Sequence, residues 1–312
     1  LRISRTRAGA SGRSSEEAPV RLSLSYRAPI AWDALLTFLR RDAVAGIDFV
    51  DGARYGRTVQ LEGETGFVLV ESVGIARARH VSVSISESLV PVLMPLLARL
   101  RQLFDLDAQP TLIDAHLARG PLRALVARRP GIRIPGALDG FDMALRSILR
   151  GYTLSAGADN VSNILPGTVA EALGDEIQTG IPSLTRLAPT PAAVVDAGVE
   201  RLEALGVPRR RAAAAVAVAG LIADRKLQLT PGSDPINAHG LLTGAGVDDQ
   251  LARVIVMRGL SWPDALPVTD RRLQRAAGVS TAGELDLRSE DWSPWRTYAA
   301  LQLWLEGPRH RV

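Results

Sequence analysis

The feature that most restricts how this chain can fold is a change of hydrophobic period near Pro110. Before it, VRLSLSY from Val20, YGRTVQLEG, GFVLVES and RHVSVSIS alternate apolar and polar residues, the period of half-buried strands. Only AWDALLTFLRRDAV and the stretch from Val90 to Phe104 have helical spacing there. After Pro110 apolar residues recur at helical spacing in 138–149, 195–205, 209–224, 249–260 and 295–305, separated by Gly- and Pro-rich segments such as RRPGIRIPG, LTPGSDP and LSWPDALP. The expectation is an α+β chain in which a small α/β unit with an antiparallel sheet, 19–108, precedes a nearly all-helical unit, 109–312. Residues 1–18, LRISRTRAGASGRSSEEA, lack apolar periodicity and read as a linker or tail.

A length of 312 residues suits two domains, and 46% hydrophobic with 22% charged residues describes a globular protein. No run of about 18 apolar residues suggests a membrane span. With no cysteine, disulfides, thiolate metal sites and a cysteine nucleophile are excluded. The four histidines, His80, His116, His239 and His310, show no metal-ligand spacing and read as solvent-facing or capping residues. The positive charge is carried almost wholly by arginine, Lys226 being the one lysine. Arginine suits bidentate phosphate contacts, but a GC-rich genome also replaces lysine throughout, so charge permits nucleic acid without demonstrating it.

The informative stretch is LLTGAGVDDQLARVIVMRGLSWPDALPVTDRRLQRAAG, a glycine-containing turn before one helix and a Pro-containing loop ending in Asp270 before another. With YRAPIAWDALLTFLRRDAVAGID, RQLFDLDAQP, RRPGIRIPGALDGFDMALRSIL and DWSPWRTYAALQLW, it resembles the helix-hairpin-helix DNA glycosylases, most closely the AlkA-type 3-methyladenine glycosylases, in order along nearly the whole chain. The resemblance implies a TBP-like N-terminal α/β domain, a helical glycosylase domain, and hydrolysis of the N-glycosidic bond of alkylated purines flipped out of duplex DNA. It also implies a monomer in the bacterial cytoplasm, associated with the nucleoid and not with membranes. LRISRTRAGA looks like the junction that follows an Ada-type methyltransferase domain in fused relatives.

Asp270 stands at the position of the family's essential aspartate; an aspartate before an amphipathic helix is also an ordinary N-cap, and the two roles are compatible. Gly244, Gly246, Val247 and Asp248 correspond to the DNA-anchoring hairpin, whose amides can hold a phosphate without reading sequence. Asp248 replaces the pattern's second glycine with Asp249 beside it, which predicts backbone strain and repulsion of phosphate. Phe38 and Trp304 match aromatic pocket positions, while Gln250 and Val254 replace aromatics there; Phe38 also reads as simple core. Gln250 stands where bifunctional relatives carry a Schiff-base lysine, so strand cleavage through an enzyme amine is not expected. Tyr152 falls at the wedge position that fills the space of the extruded base. Trp292, Trp295 and Tyr298 read as helix packing. No metal or other cofactor is required, a monovalent cation on the hairpin carbonyls being the one ion the resemblance allows. The altered hairpin keeps two other readings open: a catalytically weak or inactive DNA-binding and damage-sensing module, and a glycosylase with a less aromatic pocket and a different lesion.

Overall fold

The computed structural model describes residues 3–4, 19–72, 79–151 and 164–306. The first part is a sheet in which β1 (Ile3–Ser4), β2 (Val20–Ser25), β3 (Asp48–Asp51), β4 (Arg54–Leu61), β5 (Glu64–Ser72) and β6 (His80–Ile85) lie in the order β1-β2-β6-β5-β4-β3, each pair antiparallel. Ile3 and Ser4, expected within a structureless tail, pair with Leu22 and Arg21 as a short edge strand. In β2 and β6 the predicted alternation fixes the face: Val20, Leu22, Leu24, Val81, Val83 and Ile85 point inward. The β4–β5 hairpin turns through Glu62 and Gly63, both at positive φ, the conformation that a two-residue hairpin loop demands.

On this inner face pack α1 (Trp32–Asp42) and α2 (Leu93–Leu103), whose Leu35, Leu36, Leu96 and Leu100 are at most 1% exposed. The helical part follows as α3 (Pro110–Leu117), α4 (Arg123–Arg128), α5 (Gly140–Arg150), α6 (Ile164–Leu173), α7 (Pro191–Ala204), α8 (Arg209–Ala223), α9 (Pro235–Gly244), α10 (Asp249–Gly259), α11 (Arg271–Ala277), α12 (Ala282–Arg288) and α13 (Arg296–Trp304). The helical pattern expected over 195–205 belongs to α7, which is broken by Gly198 at φ +69°, a conformation that favours glycine.

Two apolar cores share α10 as their common wall. Ala252, Ile255 and Val256 face a core with α5 and α8, while Val254 and Met257 face a second core with α11, α13 and Phe38 of α1. That division follows from helical spacing, because residues 252, 255 and 256 lie on one stripe and 254 and 257 on another.

The sheet and the helices are tied by a buried ionic network. Arg146 of α5 bonds Asp142 at 2.7 Å and Asp48 of β3 at 2.8 Å, and Arg57 of β4 bonds Asp142 at 3.0 Å. Asp42, at the end of α1, receives Arg150 at 3.0 Å and Arg258 of α10. Burial alone would raise the Asp42 and Asp142 carboxyls, but Arg258 and Arg150 on the first, and Arg146 and Arg57 on the second, hold both below the ordinary carboxylate range. This places the C-terminal end of α10, and with it the orientation of the whole helix, under the control of both halves.

Candidate active site

The hairpin forms because each of its helices has a stop and a start. Asp234 caps α9 by accepting from the Ile236 amide at 2.9 Å, with Pro235 at the first helical position. After Gly244 the amides of Ala245, Gly246 and Val247 close back on the carbonyls of Leu241, Thr243 and Leu242 at 3.0, 3.0 and 3.1 Å. Gly246 takes φ +88°, and Val247, 6% exposed, anchors the turn in the core. Gly244 is the last residue of α9, and a Cβ added there would meet open space, so no close backbone approach requires glycine.

The strain expected at Asp248 is absent. Its φ is −59°, and its Oδ1 accepts from the Gln250 amide at 3.0 Å, so it is the N-cap of α10. The first helical bond, from the Ala252 amide to Asp248 O, is 2.8 Å, which puts the amides of Asp249, Gln250 and Leu251 at the free end of the helix. The repulsion expected from Asp249 is offset locally. Burial pushes its carboxyl up, but Arg253 at 3.0 Å and His239 at 3.1 Å more than compensate and hold it below its ordinary value. His239 was expected to face solvent or cap a helix; it lies instead against Asp249, with its side chain 26% exposed. The carbonyls of Leu241, Leu242, Thr243 and Asp248 each accept a backbone amide.

Asp270 closes the loop between α10 and α11, and that loop is pinned along its length. Arg296 grips Asp264 with two bonds of 2.9 and 2.8 Å, Thr297 donates to the carbonyls of Trp262 and Ala265, and Gln274 donates to Val268 O. The Asp270 side chain is 1% exposed. Its Oδ1 accepts from the amides of Arg272 and Leu273 at 2.8 and 2.9 Å, the N-cap geometry expected from sequence. Its Oδ2 accepts from Gln250 Nε2 at 3.2 Å. Gln250 was expected as a pocket wall; the structure adds a direct bond to the carboxylate, a contact between residues 20 apart that no sequence pattern reveals.

Phe38, Val254 and Trp304 lie in one apolar cluster with Leu273, the neighbour of Asp270 across α11, and none is more than 3% exposed. The Trp304 carbonyl accepts from Arg272 at 3.2 Å, which ties α13 to the turn that carries Asp270. Gln250, in the first turn of α10, thus meets the carboxylate directly, while Phe38, Val254 and Trp304 share the apolar core behind α11. Trp292 is buried, and Trp295 meets Tyr298 edge-on at 5.9 Å, as packing residues should. Tyr298 does more, donating to Asp105 Oδ2 at 2.9 Å. Tyr152 lies outside the described residues. Among the described residues no group of three or more His, Cys, Asp or Glu is placed to hold a metal ion, and no helix is long and apolar enough to cross a membrane.

A carboxylate so placed has one oxygen locked by a helix end and the other turned toward a neutral amide. That is an arrangement for stabilising positive charge beside it.

Comparison with known proteins gives the same direction. Residues 21–139 match the family model of the AlkA N-terminal domain. The chain is 30% identical over 283 residues to DNA-3-methyladenine glycosylase 2 of Escherichia coli, covering 90% of this chain and 96% of that protein. It is 34% identical over 299 residues to a probable bifunctional transcriptional activator/DNA repair enzyme AlkA of Mycobacterium tuberculosis, of which it spans 58%. In fold it is similar to a 3-methyladenine DNA-glycosylase from Archaeoglobus fulgidus, with a TM-score of 0.73, 18% identity, and coverage of 91% of this chain and 97% of that one. The chain belongs to the AlkA family of DNA-3-methyladenine glycosylases.

Proposed function

We propose that this protein is a monofunctional DNA glycosylase that removes alkylated purines such as 3-methyladenine from duplex DNA. The observation that carries the proposal is the buried Asp270 carboxylate, fixed by two α11 amides and one side-chain amide at the end of the helix that follows the hairpin.

The start of α10, where the hairpin ends, binds the phosphate backbone without reading sequence. The target nucleotide leaves the stack and approaches Asp270, and the rings of Phe38 and Trp304, buried in the free protein, are the aromatic faces that opening of this core would offer a cationic base. The C1′–N bond breaks with its electron pair going to the base, which departs neutral because alkylation had already made it cationic. Positive charge develops on the sugar, and Asp270 stabilises it. Water then bonds to C1′, and its surplus proton passes to Asp270 and on to solvent. Gln250 supplies no amine, so no Schiff base with the sugar forms there. The reaction needs no metal.

Two observations weigh against the inactive-module reading: Asp248 is an unstrained cap, and Asp249 is paired with Arg253. The test is product analysis on methylated duplex DNA. Free 3-methyladenine should appear while the strand stays intact until alkali is added. Strand breakage without alkali, or no free base, would contradict the proposal.

A further inference from the structure

The two oxygens of Asp270 are not equivalent. Oδ1 is committed to the end of α11 by two backbone amides, whereas the side-chain bond from Gln250 reaches Oδ2 at 3.2 Å. Gln250 is itself fixed, because its own amide donates to Asp248 Oδ1 at 3.0 Å. Asp248, Gln250 and Asp270 thus form a continuous polar chain from the hairpin turn to the buried carboxylate. A carboxylate oxygen has room for a second partner beside the amide, so the bond to Gln250 orients Oδ2 without closing it.

We infer that Gln250 is the positioning residue of Asp270, holding Oδ2 toward the reacting sugar while leaving the negative charge undiminished. The inference rests on Asp270 being the carboxylate that acts in the proposed reaction. The chemistry favours an amide here. A cation would neutralise part of the charge that the sugar needs, and an apolar side chain would leave Oδ2 without the donor that fixes it. The half-buried Gln250 reaches a carboxylate that is 1% exposed, so the bond forms where water competes weakly.

Several charged groups on the surrounding elements hold other partners. On α10, Asp249 pairs with Arg253; on α11, Arg272 donates to Trp304 O and Arg275 to Arg271 O. Glu284 of α12 accepts from the Ser280 amide, and Arg296 of α13 grips Asp264. The side-chain amide on Asp270 is that of the neutral Gln250, so a charge introduced at residue 250 acts on the carboxylate at contact distance.

The experiment is single-turnover base release from methylated duplex DNA across pH, with wild type, Gln250→Ala, Gln250→Glu and Asp270→Asn. Gln250→Ala should slow release about tenfold with DNA affinity unchanged, the effect of one hydrogen bond from a neutral donor to the reacting carboxylate. Gln250→Glu, which keeps the shape, should move the acid limb of the rate profile to higher pH by about one unit or more, because two carboxyls in contact resist joint ionisation. If Gln250→Ala fails to fold, the isosteric Gln250→Glu decides. Wild-type rate and an unmoved acid limb in both Gln250 variants, with Asp270→Asn inactive, would overturn the inference and leave the proposed function standing. Full activity in Asp270→Asn, or no release by wild type, would overturn both.

Discussion

Asp105 sits at φ +50° after α2 and accepts from the Ile134 amide at 3.1 Å and the Tyr298 hydroxyl at 2.9 Å. Burial pushes its carboxyl up to about 6, and the Ile134 amide, the Arg133 guanidinium and Tyr298 only partly oppose that shift. In the unfolded chain the same group titrates near 4. The folded state therefore binds the proton more tightly, so this stabilising contribution is complete below about pH 4 and is lost as pH rises through about 6. Asp105→Asn keeps the acceptors and tolerates the left-handed backbone, so it should flatten the pH dependence of the thermal midpoint between about pH 4 and 7. An unchanged slope would show that another group titrates there. The neighbouring Arg133 is wholly buried and donates to the carbonyls of Asp105, Ala108, Arg27 and Pro29, stitching the RRPGIRIPG loop to the connections before α1 and after α2. One charged side chain here satisfies carbonyls from two separate loops, a role a run of Gly and Pro does not advertise.

Among the elements, α10 carries most of the functional argument. Its stripes separate two cores, its first turn follows the hairpin, and its second residue touches Asp270. Asp248→Ala removes the cap and should lower folding stability by about 1 kcal/mol, measured by chemical denaturation. It should also weaken DNA binding, because the turn that presents the amides frays; tighter binding would mean that the carboxylate's repulsion outweighs its capping. Where an element is long and periodic, it was legible in the sequence: β2, β4, β5, β6, α1, α5, α8 and α10 lie where the apolar spacing put them. The four-residue β3 and the short α4, α11 and α12 span too few turns for periodicity to register. At the site, Asp270 and Gln250 were legible through family motifs as positions, but their bond was not. Asp248 carries no strain because a motif position does not dictate backbone conformation, and an aspartate before a helix caps it at ordinary φ.

At the scale of the whole molecule, sheet and helices are held as one by the network of Asp42, Asp48, Asp142, Arg57, Arg146, Arg150 and Arg258. Its partners lie up to 216 residues apart, which is why composition showed only an arginine-rich chain. Losing either partner of such a buried pair leaves an uncompensated charge, so the network specifies how the halves meet. It thereby fixes the C-terminal end of α10, the helix whose first turn joins the hairpin to Asp270. The central claim is that a DNA-bound chain of this shape breaks the N-glycosidic bond through that carboxylate. It is tested most directly by comparing base release and DNA affinity in wild type and Asp270→Asn on methylated duplex DNA at low salt. The account predicts that release falls by about 100-fold or more while affinity is retained, since the asparagine side chain can still cap α11; release at the wild-type rate from folded, DNA-bound Asp270→Asn would contradict it.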